Sequence, residues 1–363
     1  MASAVVLLAL GRGDDAERAM DAYLRAVERR SDRAWRGTAT SNEICYRPRV
    51  HVLVIGGNRF VGRSLVLQLL LRRHRVTVLN RGSLPTIAGV EHLRADRGGE
   101  DFDRAVAARA FDAVVDFAGF TGDDARRAIR VLDTRHYVFI SSGQVYLVRE
   151  GLTGAARETD YAGPVMAGPP REQDREDWAY GIGKRDAEDV IAAAPFLTTR
   201  LRIPMVSGEG DPKQRYETYL WRILDGGPLF VPNANAIARH VYRGSVVDTI
   251  VRLVEQPPAR SDAYNFAQTE EPTVREVVEL IASAARAPRP EIIDEEVPGV
   301  VAKAYSPFSS RWMSRIDPTK LGAPHEPLER YIHSTVHHLL ATWSGPPPGY
   351  ADRARERAAT IDR

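Results

Sequence analysis

The chain has 363 residues, of which 44% are apolar and 27% are charged, as is usual for a globular protein. Its formal net charge of +2 gives no acidic or basic bias, which argues against a nucleic-acid or membrane partner. The single cysteine, Cys45, excludes an intrachain disulfide and a cysteine-based metal cluster. We expect a cytoplasmic protein without a signal peptide or transmembrane segment, because the apolar run in the opening MASAVVLLAL is too short to span a bilayer.

The first 48 residues precede any predicted strand. Asp14–Arg30 has the pattern of a charged helix, and polar, turn-rich sequence follows it. We interpret residues 1–48 as an N-terminal extension that is disordered or loosely attached. A role in packing or dimer formation is the alternative.

The next stretch predicts a strand, a glycine turn and a helix. Val50–Ile55 is a short, nearly continuous apolar run, which is typical of a strand buried on both faces of a parallel sheet. Gly56 and Gly57 end this strand, and apolar residues then recur at helical spacing over 62–73 before a second strand at Arg75–Leu79. Such a βαβ unit directs the amides of a helix N-terminus at a phosphate and predicts dinucleotide binding. The alternative is a tight turn whose glycines serve the backbone alone.

Strands and helices continue to alternate to residue 140. Further strands are predicted at Val90–Arg94, Ala113–Phe117 and His136–Ile140, with helices at 101–109 and 122–132. This alternation predicts an α/β fold with a Rossmann-type, doubly wound parallel sheet, in which ligands bind beyond the carboxyl ends of the strands. Small and polar residues collect at those ends, namely Gly56, Asn80, Arg81, Asp96, Ala118, Gly119, Ser141 and Ser142.

The second half of the chain is less regular. Glu150–Glu176 predicts a loop over the site, Trp178–Ala194 a helix and Thr199–Val206 a strand. From about residue 209 the pattern indicates a small C-terminal substrate lobe, and Asp352–Arg363 indicates a frayed, charged tail. We therefore predict a dinucleotide-binding domain at 49–208, a substrate-binding lobe at 209–345 interleaved with the last strands, and a tail at 346–363.

Tyr180 and Lys184 are the strongest candidates for chemistry. They stand four apart on a predicted helix and therefore share a face. A nearby ammonium favours the phenolate and lowers the pKa of a tyrosine, which can then exchange a proton with a substrate hydroxyl while a nicotinamide carries the hydride. Ser142, at the end of the fifth strand, can hydrogen-bond the reacting oxygen, and we favour it over Ser141. The alternatives are a surface tyrosine with a solvated lysine, and a serine that caps a turn.

The ordered set of motifs resembles the extended short-chain dehydrogenase/reductases, the NAD(P)-dependent epimerase/dehydratase group. The set comprises the glycine-rich turn, DFAG at 116–119, SSGQVY at 141–146, YGIGK at 180–184, RIPMVSGEGD at 202–211 and YNFA at 264–267. The resemblance covers roughly residues 50–342 and implies a Ser142–Tyr180–Lys184 triad. It also implies that Lys184 holds the nicotinamide ribose, that Pro204 lies beside the nicotinamide, and that Asp96 and Arg97 lie near the adenine. It suggests a homodimer.

The full set of predicted cofactor-binding residues follows from the strand ends, the motifs and this resemblance. It consists of Gly56, Gly57, Asn58, Arg59, Phe60, Val61, Gly62, Asn80, Arg81, Asp96, Arg97, Phe117, Ala118, Gly119, Tyr180, Lys184 and Pro204.

The sequence departs from the usual family pattern at two places. Arg59 replaces a glycine, so the turn reads GGNRFVG, as in the atypical branch that includes chloroplast stem-loop RNA-binding proteins. Arg59 can itself bond a phosphate. Gly143 and Gln144 stand where 4,6-dehydratases resembling this group carry Asp-Glu, and neither can transfer a proton, so we argue against 4,6-dehydration.

The end of the second strand bears on the choice of cofactor. An acidic residue there would bond the ribose 2′-hydroxyl and repel a 2′-phosphate, but this chain has Asn80 and Arg81. Because a guanidinium suits a phosphate, we predict NADP, with NAD as the alternative in which Asn80 bonds a plain ribose.

The C-terminal lobe offers weaker candidates. Arginines that could bind a diphosphate, and that are equally typical of a surface, are Arg215, Arg239, Arg243 and Arg311. Aromatic residues that could line a pocket or fill a core are Trp178, Trp221, Tyr242, Phe308 and Trp312. We predict no metal site, because Ser334 stands where the helical zinc motif around His333, His337 and His338 would need a glutamate.

We predict an NAD(P)-dependent oxidoreductase that reduces a ketone or epimerises a carbinol centre, with a nucleotide sugar or a specialised metabolite as substrate. The alternatives are an RNA-binding or RNA-processing protein on the same fold, which would need a basic face, and an NADP sensor without turnover.

Overall fold

The computed structural model describes residues 49–309, 315–342, 345–346, 350 and 352–361. The predictions for residues 1–48, and those for Arg311 and Trp312, lie outside these ranges. Residues from Val50 onward form one compact unit. Within the described residues, no helix is long and apolar enough to cross a membrane.

A seven-stranded sheet carries the candidate site. All its neighbouring strands pair in parallel, in the order β11-β7-β5-β4-β1-β2-β3. The strands are β1 His51–Ile55, β2 Arg75–Asn80, β3 Glu91–Arg94, β4 Ala110–Asp116, β5 Asp133–Ser142, β7 Leu197–Ile203 and β11 Asp262–Asn265, with β6 Ala155–Ala156 paired outside this sheet. The order reverses between β1 and β4, which is the crevice where open α/β sheets bind ligands. The predicted Rossmann-type fold is confirmed.

The central strands form because they are buried on both faces. In β1, Val52 and Val54 pack into the core on one side of the sheet, whereas Leu53 and Ile55 pack into the core on the other side. Each of these four side chains is buried, so β1 shows no alternation of apolar and polar residues.

The helices cover both faces of the sheet and build the C-terminal lobe. They are α1 Phe60–Leu71, α2 Glu100–Val106, α3 Gly122–Val131, α4 Gln144–Leu147, α5 Arg175–Ala192, α6 Arg215–Asp225, α7 Arg243–Glu255, α8 Val274–Ala284, α9 Ala302–Tyr305, α10 Leu328–Ala341 and α11 Arg353–Ile361. Helix α1 packs against α7, and α3 packs against α5.

The C-terminal lobe has a core of its own, formed mainly by α6, α8 and α10. Short strands in and beside it pair in parallel as two-stranded sheets: β8 Met205–Ser207 with β10 His240–Tyr242, β9 Leu229–Phe230 with β12 Ile292–Ile293, and β13 Arg315–Ile316 with β6.

Three predicted elements differ from the structure. The strand predicted over 199–206 ends at Ile203, because Pro204 interrupts it and the following residues pair with β10 instead of continuing the main sheet. Helix α5 begins at Arg175, three residues before Trp178. The tail predicted to be frayed contains helix α11, whose Glu356 is buried against Arg222.

Candidate active site

The glycine turn after β1 is shaped by close packing. Gly56 has φ of +90°, a conformation that favours glycine. A Cβ on Gly62 would lie 2.8 Å from the Gly56 carbonyl oxygen, and one on Gly57 would lie 3.0 Å from side-chain carbons of Val54 and Val66. Helix α1 therefore begins directly against the turn, with its first amides at the edge of the sheet. The side chain of Arg59, the N-cap residue, is exposed and leaves this cradle open.

The end of β2 lies beside the same turn, because the Gly56 amide donates to the Leu79 carbonyl at 2.9 Å. Asn80 follows, and its amide oxygen accepts from the Gly82 amide at 2.8 Å and contacts His92 Nε2 at 3.0 Å. The Asn80 side-chain nitrogen is buried and has no hydrogen-bond partner among the described residues. Arg81 is exposed.

The next strand end carries a buried ion pair. Arg97 donates to the Asp116 carboxylate at 2.7 Å, and Tyr137 donates to the same oxygen at 2.5 Å. The Nε and one terminal nitrogen of Arg97 remain buried without a partner among the described residues. Asp96, in contrast, is exposed and accepts from the Gly98 amide at 2.9 Å.

The DFAG segment follows β4 and is packed tightly. The Ala118 amide donates to the Asp116 carboxylate at 2.8 Å, and the Phe117 amide donates to the Ile55 carbonyl at 3.0 Å. A Cβ on Gly119 would lie 2.8 Å from the Phe139 ring, so glycine is needed there.

The two serines at the end of β5 have different surroundings. Ser141 is buried and donates to Glu188 at 2.5 Å, which commits its hydroxyl to the protein interior. Ser142 is partly exposed, accepts from the Gln144 amide at 3.2 Å, and lies near enough to Tyr180 for its hydroxyl to act against a rise in the pKa of the phenol. Only Ser142 of the two therefore has a hydroxyl beside Tyr180.

Lys184 lies under Tyr180 and is 1% exposed. Its ammonium donates to the Gly119 carbonyl at 2.7 Å and to the Ile140 carbonyl at 2.8 Å, which ties helix α5 to the ends of β4 and β5. Burial lowers the pKa of Lys184 to about 8, although the carboxylates of Asp116 and Glu188 oppose this shift. A third N–H of the ammonium remains for a ligand.

The expected effect of Lys184 on Tyr180 is wrong for this structure. Burial raises the pKa of the Tyr180 phenol above its ordinary value, and the nearby Ser142 hydroxyl opposes this rise only in part. The Lys184 nitrogen lies 5.8 Å from the centre of the Tyr180 ring and is held by two carbonyls. Desolvation of the phenol therefore outweighs the neighbouring charge.

The glycines between the tyrosine and the lysine let helix α5 approach the strand ends. A Cβ on Gly181 would lie 2.7 Å from the Gln144 carbonyl oxygen, and one on Gly183 would lie 2.6 Å from the Phe120 carbonyl oxygen. Glycine inside a helix costs about 1 kcal/mol relative to alanine. In α5 this cost is accompanied by close packing of the helix against the Gln144 and Phe120 carbonyls, which larger side chains would prevent.

A buried pair that the sequence interpretation missed supports this arrangement. Arg202 on β7 makes a two-pronged contact with Glu188, which lies one turn after Lys184 on α5. The Tyr146 hydroxyl lies 2.6 Å from Arg202 and donates to Asn265 at 2.8 Å. The signals in the sequence were an arginine inside an apolar strand and a glutamate four residues after the lysine.

Pro204 lies at a small, open cleft beside the C-terminal lobe. Arg239 and Arg315 also line it, and Arg315 pairs with Glu271. Burial lowers the pKa of Arg239 to about 10. Of the three predicted substrate arginines that the structure describes, Arg215, Arg239 and Arg243, Arg239 is thus the one that lines this cleft.

The other candidates in the described part of the chain contact protein groups. Arg215 pairs with Asp211 at 2.7 Å and Arg243 pairs with Glu209 at 2.8 Å. Tyr242 stacks on Tyr331, and Phe308 is buried in the lobe core. Two tryptophans lie in other contacts: Trp178 donates to the Met166 carbonyl, and Trp221 contacts Tyr350.

The histidines of α10 form no metal centre in the described part of the chain. His333 and His337 have ring centroids 6.0 Å apart. Within that part, no group of three or more His, Cys, Asp or Glu side chains is placed to hold a metal ion.

The sheet edge fits a dinucleotide. Side chains with buried atoms that lack a protein partner lie at three neighbouring points of this edge: Asn58 in the turn, Asn80 after β2 and Arg97 after β3. Buried polar groups are ordinarily hydrogen-bonded, so these atoms fit a polar ligand at this edge. The glycine turn also brings the first amides of α1 to this edge, where they suit a phosphate of the same ligand.

A family model described as the NAD-dependent epimerase/dehydratase family matches residues 52–267, more than half of the chain. The chain belongs to this family. The family resemblance expected from the motifs is thereby confirmed.

Curated relatives carry different names. The chain is 23% identical over 261 residues to the chloroplast stem-loop binding protein of 41 kDa b of Arabidopsis thaliana, covering 67% of this chain and 65% of the relative. It is 31% identical over 170 residues to 2'-dehydrokanamycin reductase of Streptomyces kanamyceticus, covering 45% and 44%. The matched region thus spans less than two thirds of the length of either relative.

Solved structures share the fold. The enzyme WbmG of Bordetella bronchiseptica in complex with NAD superposes with a TM-score of 0.64 at 15% identity, covering 82% of this chain and 96% of WbmG. UDP-glucose 4-epimerase of Thermotoga maritima with UDP-glucose gives 0.62 at 18% identity, covering 81% and 100%.

Proposed function

We propose that the protein is an NAD(P)-dependent oxidoreductase or epimerase that acts on a secondary alcohol or ketone through Ser142, Tyr180 and Lys184. The observation that carries the proposal is the convergence of Tyr180, the nearby Ser142 hydroxyl and the buried Lys184 ammonium at the carboxyl ends of β4 and β5. A phenol and a second hydroxyl can together bond one substrate oxygen. Lys184 is buried directly beneath them.

Each of the three side chains has a distinct part. Tyr180 donates its proton to the carbonyl oxygen in reduction and receives it from the hydroxyl in oxidation. Ser142 donates to the same oxygen and orients it. Lys184 keeps two of its N–H groups on the Gly119 and Ile140 carbonyls, so its position is fixed and its charge stabilises the phenolate as the proton leaves. A bound nicotinamide supplies or accepts the hydride.

We further propose that the cofactor is NADP. Support comes from Asn80 at the end of β2, where an acidic side chain would have repelled a 2′-phosphate, and from the exposed guanidinium groups of Arg81 and Arg59 near this edge. The solved relatives named above include a complex with NAD, so NAD is the competing assignment.

Reduction and epimerisation both need only these three side chains. Gly143 has no side chain, and the Gln144 amide donates to Asp177 at 3.0 Å, so neither group supports proton transfer in a dehydration. Relatives are named as a reductase and as an epimerase, and a nucleotide sugar or a specialised metabolite is the substrate class we propose.

The test pairs cofactor binding with turnover. Wild-type protein is screened for NADPH- or NADH-dependent conversion of UDP-sugars and of oxidised aminoglycosides, and Tyr180→Phe is then compared with Tyr264→Phe, a partly exposed tyrosine on β11. We expect Tyr180→Phe to lower kcat about 10²- to 10⁴-fold with cofactor Kd nearly unchanged. Equal turnover in wild type and Tyr180→Phe would remove Tyr180 from the mechanism.

RNA binding is the second candidate, because a stem-loop binding protein matches the longest stretch among the curated relatives described above. Filter retention of a stem-loop RNA as a function of salt tests it. A steep loss of retention with salt, together with no cofactor binding, would favour RNA over the oxidoreductase.

A further inference from the structure

The side-chain amide of Asn80 is held in one orientation. Its oxygen faces the backbone N–H of Gly82 at 2.8 Å and His92 Nε2 at 3.0 Å. Exchanging the amide oxygen and nitrogen would set the NH2 group against the Gly82 N–H, two donors face to face. The oxygen is therefore fixed towards the protein.

His92 is held in turn by Thr86. His92 lies on β3 opposite Val78 of β2, and its Nδ1 contacts the Thr86 hydroxyl at 3.1 Å. Because the Asn80 oxygen can only accept, His92 must carry its proton on Nε2, which leaves Nδ1 to accept from Thr86. A chain of three side chains thus runs from Thr86 through His92 to Asn80.

The Asn80 NH2 group, at the carboxyl end of β2, is therefore a hydrogen-bond donor without a protein partner in the described part of the chain. With its oxygen occupied twice, Asn80 presents its NH2 group, and this nitrogen is buried without a partner among the described residues. Leu79, the preceding residue, bonds the Gly56 amide of the glycine turn, so the NH2 group lies beside the predicted dinucleotide cradle. An aspartate at this position would offer only acceptors.

We propose that His92 is a positioning residue for cofactor choice: it helps to fix Asn80 as a hydrogen-bond donor, which favours the 2′-phosphate of NADP(H) over the 2′-hydroxyl of NAD(H). The inference rests on the proposed function, since it assumes that a nicotinamide dinucleotide occupies the cradle. A phosphate oxygen is charged and can only accept, and hydrogen bonds to charged groups are the stronger ones. The selectivity of this edge therefore depends on a residue one strand away from the cofactor.

The experiment measures Kd for NADPH and for NADH by nicotinamide fluorescence. The variants are His92→Phe, which removes the donor and keeps a ring, His92→Gln, which keeps an N–H donor, and Asn80→Asp. His51→Phe is the matched control. His51 also contacts a threonine, Thr77 at 2.8 Å, but it is the first residue of β1 and lies at the amino ends of the strands, away from the predicted cofactor site.

We expect wild type to prefer NADPH, His92→Phe to lose about tenfold of that preference, and His92→Gln to retain most of it. Asn80→Asp should reverse the preference, whereas His51→Phe should leave it unchanged. A purely structural role for His92 would weaken both cofactors equally and would not move the ratio of the two Kd values.

The opposing results are separable. If wild type binds both cofactors and the ratio is the same in His92→Phe, or if Asn80→Asp still prefers NADPH, the inference is overturned and the proposed function stands. If folded wild type binds neither cofactor, the proposed function fails and the inference fails with it.

Discussion

Two arginine–glutamate pairs are buried in different regions of the molecule. Glu188 and Arg202, with side chains 1% and 3% exposed, join α5 to β7 behind the candidate site. Glu356 and Arg222, 3% and 1% exposed, join the C-terminal helix α11 to α6. Arg222 also donates to the Phe230 and Tyr305 carbonyls, and the Phe230 amide donates to Glu356.

The chemistry of the pairs is the same, but their places in the fold differ. Glu188 is one helical turn from Lys184 and accepts from Ser141, the neighbour of Ser142, so the first pair fixes the strand end and the helix that carry the triad. Glu356 lies on α11, whose charged side chains bond α6 and the segment just after it instead of the seven-stranded sheet. A buried ion pair is thus a poor measure of importance until its position in the chain is known.

The largest effect is expected from Glu188→Ala. It leaves the Arg202 guanidinium buried without its carboxylate, which should lower the free energy of unfolding by about 3–5 kcal/mol. Urea denaturation measures the loss, and Asp186→Ala, an exposed position on the same helix, is the control. Cofactor affinity should fall as well; an unchanged free energy of unfolding would contradict the structural role of this pair.

A smaller effect is expected from Glu356→Ala. We expect α11 to detach locally and let water reach Arg222, so the loss in the free energy of unfolding should stay below the about 3–5 kcal/mol of a broken buried pair. Limited proteolysis should cut near the C-terminus of this variant but not of Arg355→Ala, whose side chain is 67% exposed. Cofactor Kd should not change, and a loss of cofactor binding would show that the two regions are coupled.

The dependence of stability on pH should separate the two regions. The pKa of Lys184 is about 8 in the folded protein and 10.5 in its ordinary state, so the unfolded chain binds the extra proton between these values. The free energy of unfolding of wild type, relative to Lys184→Met, should therefore rise with pH from 8 to 10, with a slope of at most about 1.4 kcal/mol per pH unit. The difference in the free energy of unfolding between wild type and Glu356→Ala should not change over this pH range, because the partners of Glu356 are arginines. If the difference between wild type and Lys184→Met is also independent of pH, the Lys184 ammonium is not desolvated.

The smallest effects should come from two matched helix caps. Thr121 caps α3 and Thr273 caps α8, each in a reciprocal capping box. Replacing either threonine by alanine should cost about 1 kcal/mol in thermal or urea unfolding. Only Thr121→Ala should also weaken cofactor binding, since Thr121 lies two residues after Gly119, whose carbonyl accepts from Lys184. Equal effects on binding would mean that the DFAG segment is not held by this cap.

Local pattern was sufficient for the cofactor half of the sheet. Val50–Ile55 and the glycines after it predict strand, turn and helix, because burial on both faces and close packing act over a few residues. The same holds for Tyr180 and Lys184, which a helix places on one face. The relative placement of Ser142 and Tyr180 needed the fold, since β5 and α5 are joined by a long irregular segment.

Pairings between distant charged residues could not be predicted. The ion pairs Arg97–Asp116 and Glu188–Arg202 each join two elements that are distant in the sequence. Their formation depends on how those elements pack, and a single charged residue is more typical of a surface. Helix α11 was missed for the same reason: its buried side chains are Arg353 and Glu356, and charged residues in a charged segment indicate solvent. The pKa of Tyr180 likewise depends on burial that spacing along a helix does not reveal.

The two glycines of YGIGK make close packing part of the proposed catalytic motif. Backbone oxygens of Gln144 and Phe120 occupy the space that side chains at positions 181 and 183 would need. The Cβ of an alanine at position 183 would clash with the Phe120 carbonyl oxygen. We expect the clash to move α5, and with it the Tyr180 phenol and the Lys184 ammonium, away from the strands. Steric room, as much as acid–base character, therefore limits which residues this helix can accept between its tyrosine and its lysine.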